Sequence, residues 1–594
     1  MTGNVESGVL DLLIIGAGVY GICAASTYLA LHPESKLIVL DEDEDVGGVW
    51  SRSRHYPLFW SQSGVRVSGF PDVPFRPPAD AERFYDLPEA RSLGQYLHDY
   101  VDMKVYDGQS LRERFAFRAT VKDVRKAEDG LWRVTAEQDS TELRYMATKV
   151  IVATGLTSLP NMPNLPGRET FQGLVVHQKD IGRSRILTPE EPDIEKHEHV
   201  TIYGGGKSAA DLAYAAATDT LRHRKVTWVI RSSGSGPLSV SHPKPPVPGY
   251  RNVTELACTR AIAALSSANP YLPESSWREW LWNSAVGEWL LNKIWTSTET
   301  KVVSAADFVG REGKLPGFEG LQPTGSARWL TSPIGLLQRD DWWDVIARKV
   351  QVCRGEIARL EPDHLVLNDG RVVSTDVLIC ATGWKQEFPF FSAKEAARLG
   401  LPIPLNETKL VDDERQLWRA EDSEAEKRVL ARWPYLAQVL KVKANEVRAT
   451  PYRLYRYTIP LHDHSIAFLG TAAVPNAYHT AVVQSLLAIA HLDGNLKLPT
   501  EAEMADDIAF VNAWSRIRYP LIGHPGNVLN FEMLSFTDIV LDQLGLSSHR
   551  LPAETRKRWT GWWQDLTQPS LAADYAGLID EYRKKYHQSG TRAS

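Results

Sequence analysis

Cysteine is scarce in this chain. Cys23, Cys258, Cys353 and Cys380 are the four in 594 residues, and no two form a Cys-x-x-Cys pair. That spacing excludes a disulfide framework, a zinc site and a dithiol reductase. Long apolar runs are missing too: none reaches the ~18 residues of a membrane span. The first strand-like run begins too close to Met1 to leave room for a signal peptide, so a cytoplasmic location is expected. The net charge of −6 is modest and forms no block, which gives no reason to expect nucleic acid as a partner. His462-Asp-His464 reads as a solvated loop, and no metal is expected. What remains is a globular chain, 43% apolar and 24% charged, too long for one hydrophobic core.

Glycine, by contrast, stands where chemistry requires it. Gly16-Ala-Gly18-Val-Tyr20-Gly21 follows the apolar run Leu12 to Ile15, and Gly204-Gly-Gly206-Lys207-Ser208-Ala209 follows Val200 to Tyr203. In such a strand-to-helix turn the first glycine permits the tight bend. The second brings bare backbone against a pyrophosphate, and the third small residue lets the helix pack on its strand. Helix N-terminal amides then hold the anion. Two turns predict two dinucleotide sites, and the end of the next strand tells them apart. Asp41 closes Lys36-Leu-Ile-Val-Leu40 about 20 residues past the first turn, where a carboxylate accepts hydrogen bonds from a ribose diol. That suits FAD. Arg231-Ser-Ser closes Lys225 to Ile230 and places a cation where a 2′-phosphate would lie, which suits NADPH over NADH.

On these residues the chain resembles, over nearly its whole length, the class B flavoprotein monooxygenases, which include the flavin-containing and the Baeyer–Villiger monooxygenases. Asp41 to Trp50 is similar to the family's run of acid, Gly-Gly and tryptophan, so Gly48, Val49 and Trp50 are expected under the FAD. Val150-Ile-Val-Ala-Thr154-Gly155 and Val377-Leu-Ile-Cys-Ala-Thr382-Gly383 resemble its paired Ala-Thr-Gly strand ends. Pro160 to Pro166 resembles its interdomain linker, and Phe171-Gln-Gly173-Leu-Val-Val-His177 its fingerprint. Leu454 to Pro460, Ile466 to Gly470 and His479 through Gln484 follow the order of the flavin-containing monooxygenases. Two positions depart. Ile181 stands where the fingerprint closes with an aromatic residue. Gln62, counted back from Asp72-Val-Pro-Phe75, stands where the flavin-containing enzymes carry asparagine near the oxygenated flavin. The Tyr-Pro of the Baeyer–Villiger pattern is present at Tyr56-Pro57, but Ser61 or Gln62 occupies the place of its aspartate.

The resemblance implies an α/β fold of two Rossmann-like dinucleotide-binding domains, one for FAD and one for NADPH, with a helical insertion and a helical C-terminal region. The expected division is 1–165 and 366–498 for FAD, 166–365 for NADPH with an insertion at about 234–328, and 499–594 at the end. Unlike the animal enzymes it resembles, the chain ends in a polar tail. The implied reaction is oxygenation of a small, apolar or aromatic substrate by O2 through an oxygen adduct at the flavin C4a. Nitrogen or sulfur oxygenation is favoured; ketone oxygenation and a flavoprotein that has lost oxygen transfer are the alternatives. Gln62 is the candidate at the reactive face. Gly16, Gly18, Tyr20, Gly21, Asp41, Gly48, Val49, Trp50, Thr154, Thr382 and Gln484 join Gly204, Gly206, Lys207, Ser208, Ala209 and Arg231 as cofactor-binding candidates. Arg339, beside Asp340-Asp341, reads as a surface ion pair or as a cation near the reacting oxygen. In the insertion, Trp277, Trp280, Trp282, Trp289 and Trp295 fall on more than one side of a helix, the pattern of a buried helix. Core packing, a wall of the substrate pocket and a membrane-surface patch all fit such a helix.

Overall fold

The apolar run before the first glycine turn forms the strand Val5–Ile15, with Leu12, Leu13 and Ile14 fully buried. Burial on both faces is what a parallel strand between two layers requires. It pairs in parallel with Leu37–Leu40 on one side and Thr141–Val152 on the other. Ala119–Lys126, Trp132–Gln138 and Thr141–Val152 continue the sheet as an antiparallel meander, its first turn closing at Gly130 with φ +81°. Ile466–Phe468 returns from far along the chain to pair in parallel with the end of Thr141–Val152, so the first sheet is built from distant segments of the chain. The computed structural model describes residues 5–586 apart from 189–190, 192–195, 220–223, 234–235, 267, 274 and 442–446.

The second sheet has five parallel strands in the order Leu174–His177, Val377–Cys380, His199–Tyr203, Lys225–Ile230 and Val350–Arg354. This topology corrects the expected boundary at 366. Val377–Cys380 is a central strand of the second sheet, and the hairpin at Gly370 joins His364–Leu367 to Val372–Ser374 in a small sheet on the same domain. The apolar face of that hairpin, Leu365, Leu367 and Val373, shares a core with Val229 and Leu378. The chain therefore crosses back at Ala381–Gly383.

The insertion is helical after its Ser/Gly/Pro loop, but the tryptophan segment is not one buried helix. Ser284 caps a second helix, splitting the segment into Ser276–Asn283 and Ala285–Ala306. Trp277, Trp280 and Trp289 are 52%, 53% and 57% exposed, whereas Trp282 is buried in a stack with Tyr435. Apolar residues on several sides here mean an exposed apolar face beside a buried one. The insertion's parallel ladder, Ser239–Ser241 with Ile334–Leu336, reaches back to the first domain through Gln62. In the C-terminal region the capping box of Thr500 and Glu503 opens the helix Glu501–Arg518. Leu571 to Tyr586 forms a short 3-10 turn and then the helix Leu578–Tyr586. No helix among the described residues is long and apolar enough to cross a membrane.

Gly21 shows how tightly the first turn is built, because a Cβ there would stand 1.8 Å from the Gly16 carbonyl oxygen. Gly21→Ala is expected to lower the thermal unfolding midpoint by several degrees, since overpacking costs about 1–3 kcal/mol. An unchanged midpoint would contradict the contact.

Candidate active site

Each glycine turn is seated on one Ala-Thr-Gly strand end. Gly16 has φ +112°, and a Cβ on it would lie 2.5 Å from the Ala153 carbonyl oxygen; Gly204 has φ +148°, and its Cβ would lie 2.1 Å from that of Ala381. Only glycine fits such contacts at positive φ. The helices that follow, Val19–Leu31 and Lys207–Ala217, begin at Gly18 and Gly206 with no side-chain cap and no acid in the first turn. Their N-terminal amides are thus left to an anion. Gly18 faces Gly48, whose own Cβ would come within 3.0 Å of the Gly18 Cα, so backbone alone lines that slot. A Cβ on Gly206 would meet nothing within 4 Å. Asp41 ends Leu37–Leu40 as expected, but its oxygens also hold the turn, accepting from Ala17 N at 2.5 Å and Asp43 N at 2.8 Å. Burial pushes its carboxyl up to about 6.

A cavity of about 810 Å³ runs from the first turn to the second domain. Its size is that of a cofactor or ligand site. Of the expected residues, Gly16, Gly18, Tyr20, Asp41, Gly48, Val49, Trp50, Gln62, Thr154, Lys207 and Ser208 line it. Among the buried polar atoms of its wall, Trp60 Nε1, Gln178 Oε1 and Tyr478 Oη find no hydrogen-bond partner among the described residues. Buried polar groups are normally satisfied, so these, the uncapped helix and the bare-backbone slot fit a bound dinucleotide. Gln62 accepts from Leu336 N at 2.9 Å, which fixes its carbonyl and leaves its amide hydrogens without an acceptor among the described residues.

Other candidates lie outside this cavity. Gly21 and Ala209 pack their helices. Gly204 and Gly206 form the second turn, whose first carbonyl accepts from Trp228 Nε1 at 2.7 Å. Thr382 is turned to the domain crossing, donating from Oγ1 to the Asn161 carbonyl at 2.7 Å. Gln484 is wholly buried in the helix Ala477–Leu492 and donates to Thr458 Oγ1 at 3.2 Å, away from the cavity wall. Arg231 is exposed at the end of Lys225–Ile230, and Arg354 donates to its carbonyl from the end of the adjacent strand. Arg339 lies 4.4 Å over the Trp60 ring, pairs with Glu82 at 2.8 Å and is not among the residues that line the cavity.

The fingerprint segment acts as an interdomain clamp. His177 Nε2 lies 3.0 Å from the Gly383 carbonyl, and its Nδ1 accepts from Lys179 N at 3.1 Å. Burial lowers its pKa, in keeping with a neutral ring protonated at Nε2. Lys179 pairs with Glu42, and Arg183 with Asp43, both on the first domain. Ile181 is fully exposed to no solvent and belongs to the second-domain core, which explains an aliphatic residue there.

Sequence reasoning missed Trp60, Gln338 and Asp211, which meet at the wall shared by the two domains. Lys207 forms a buried ion pair with Asp211 one helical turn on, rather than reaching outward from its helix. Gln338 accepts from Lys207 Nζ at 2.8 Å and donates to Asp211 Oδ1 at 3.0 Å. Burial lowers the Lys207 pKa and raises that of Asp211. The only signal in the sequence was the i, i+4 spacing of Lys207 and Asp211.

Two glycine turns, the first lining the cavity and the second reaching it through Lys207 and Ser208, define a flavoprotein with two dinucleotide-binding domains. The chain matches the family described as pyridine nucleotide-disulphide oxidoreductase over residues 13–251. All four thiols are buried and unpaired, so the likeness is to that fold rather than to a redox disulfide. It is 30% identical over 605 residues to the FAD-dependent monooxygenase resA of Aspergillus sclerotiorum, covering 96% of this chain and 98% of that protein. It is likewise 30% identical over 571 residues to the FAD-dependent monooxygenase rstn6 of Aspergillus nomiae, covering 91% and 93%. A crystal structure of cyclohexanone monooxygenase from Rhodococcus sp. Phi1 bound to NADP+ shares the fold, with a TM-score of 0.57 at 18% identity over 90% of this chain and 97% of that one. The chain belongs to the FAD-dependent monooxygenases of the class B flavoprotein type.

A side chain larger than methyl on Gly18 would enter the slot between the two backbones. Gly18→Leu is expected to fold with unchanged circular dichroism and to lose bound flavin on desalting. Full flavin occupancy in that variant would contradict the placement of the site.

Proposed function

We propose that the protein is a cytoplasmic, NADPH-dependent flavin monooxygenase that oxygenates a soft nitrogen or sulfur centre of a small apolar substrate. The observation that carries this reading is the single cavity lined by the Gly16–Gly18 turn, the Gly48–Trp50 loop and Gln62 of one domain and by Lys207 and Ser208 of the other. When bound, FAD supplies the two-electron redox chemistry and the activation of O2. The protein's part is to hold and enclose. The amides at Gly18 and Gly206 hold the two pyrophosphates, and Arg231 with Arg354 offers guanidinium groups at the strand ends where a 2′-phosphate would lie. Phe59, Trp60, Val474, Tyr478 and Ile522 give an apolar wall that excludes water from the reacting atoms.

Nitrogen or sulfur oxygenation is favoured by where the cations are. Attack on a ketone calls for a cation beside an anionic oxygen, and the arginine in the cavity wall, Arg54, is committed to Asp43 at 3.7 Å and to the Thr157 carbonyl at 2.6 Å. Arg339 is paired with Glu82 and does not line the cavity. A soft nucleophile needs no such cation.

NADPH oxidation measured with an amine, a sulfide and a ketone, with hydrogen peroxide followed in parallel, is expected to yield N- or S-oxide. Lactone or ester from the ketone would favour the Baeyer–Villiger reading, and stoichiometric peroxide with no product would remove monooxygenation. In Gln62→Ala, flavin reduction is expected to stay near the parent rate while the peroxide fraction rises several-fold; an unchanged fraction would take Gln62 out of the active site. Arg231→Ala should weaken NADPH by about 1.5–3 kcal/mol, tenfold or more, and leave NADH nearly unaffected. Equal losses would assign Arg231 to the fold.

A further inference from the structure

The Lys207–Asp211 pair is placed against the electrostatics of its own helix. Lys207 is the first residue of Lys207–Ala217, so its ammonium sits at the positive end of the helix dipole, and lysine preceding aspartate by four is the weaker order for such a pair. The pair is also buried, with side chains 15% and 6% exposed, and both residues line the cavity. Nothing about the helix favours a cation there except Asp211 itself. An anion arriving at the uncapped N-terminus would change that, because it offers Lys207 a partner on the side where the amides already point.

We propose that the second dinucleotide, on binding, takes Lys207 from Asp211, and that Asp211 then accepts a proton and holds it in the cavity wall for the oxygenation. This rests on the reading of the Gly204–Gly206 turn as the NADPH site. Asp211 has few other means of staying ionised. From its own helix Tyr214 is turned away, donating to Asp341 at 2.7 Å. From the first domain the Tyr56 phenol approaches, and it is not a cation. From the segment after Ile334–Leu336 come Gln338, which supplies a neutral amide donor, and Arg339, which is committed to Glu82. A carboxylate buried among neutral groups protonates rather than remain charged, and burial already raises the Asp211 pKa in the paired state.

The proton has a use. Monooxygenation takes NADPH, a proton and O2 and returns NADP+, one oxygen atom in the product and one in water. The hydride accounts for one hydrogen of that water and the proton for the other. Asp211 lies in the same wall as Gln62: a Cβ on the intervening Gly335 would stand 2.8 Å from Lys207 Cδ and 3.4 Å from Gln62 Oε1. Asp211 is thus a proton-holding residue that is loaded when the nucleotide is present.

The test is calorimetric titration of the FAD-loaded enzyme with NADP+ near neutral pH in two buffers of different ionisation enthalpy. The parent protein is expected to take up about one proton per NADP+ bound, and Asp211→Asn to bind NADP+ with that uptake lost. Lys207→Met gives an independent check should the asparagine variant not fold. Its Asp211 carries the proton before the nucleotide arrives, so uptake is again lost. NADP+ binding without uptake in the parent, or uptake that persists in either variant, overturns the proposal. Failure of the parent to bind NADP+ at all overturns the nucleotide reading, and this proposal with it.

Discussion

The structure depends on two close approaches of backbone to backbone: Gly16 against the Ala153 carbonyl and Gly204 against the Ala381 carbonyl. Each fixes a dinucleotide turn to the strand end where the chain leaves one domain for the other. The two ends are then joined. Leu159–Pro160 pairs antiparallel with Trp384–Lys385, Asn161 N donates to the Gly383 carbonyl at 3.0 Å, and His177 approaches the same carbonyl. The orientation of one nucleotide site to the other is therefore set by a short run of main-chain hydrogen bonds at the crossing. Lys179 to Glu42 and Arg183 to Asp43 brace it from the side. This geometry makes one cavity out of two domains, and without it the turns would be two separate binding sites.

The turns were legible in the sequence for the same physical reason. A position that cannot bear a Cβ must be glycine, so Gly16, Gly21 and Gly204 announce their contacts. The strands leading to them announce themselves by apolar runs buried on both faces. What the sequence concealed lies in contacts between distant segments. The hairpin at Gly370 has the same local pattern as that at Gly130, yet its apolar face packs on the second domain and moves the crossing from 366 to 381. The tryptophans of the insertion read as buried because periodicity registers apolar residues and not what covers them. Thr382 and Gln484 sit in motifs shared with cofactor-binding segments, but they are spent on the crossing and on Thr458. Gln338 meets Lys207 and Asp211 only because the segment after Ile334–Leu336 folds back between the domains.

The helix N-termini explain why so little charge is needed to bind two highly charged cofactors. Val19–Leu31 and Lys207–Ala217 both begin on glycine with no side-chain cap. A capping aspartate would stabilise the helix by ~1 kcal/mol and would also occupy the place of an anion. Under the proposed function, a pyrophosphate takes the place of that cap at each helix end.

The same economy bears on the oxidising chemistry. Uncommitted cations and bases in a dry cavity would hold water and bring protons to the flavin, diverting reduced cofactor toward peroxide. Here Arg54 is engaged by Asp43 and the Thr157 carbonyl, and Arg339 is paired with Glu82 and does not line the cavity. Lys207 and Asp211 neutralise one another. Phe59, Trp60, Val474 and Tyr478 give the cavity an apolar wall, with Gln62 as a fixed neutral amide among them. Charge can enter such a site only by exchanging partners, and the Lys207–Asp211 pair at the second helix N-terminus is built where a ligand phosphate could make that exchange.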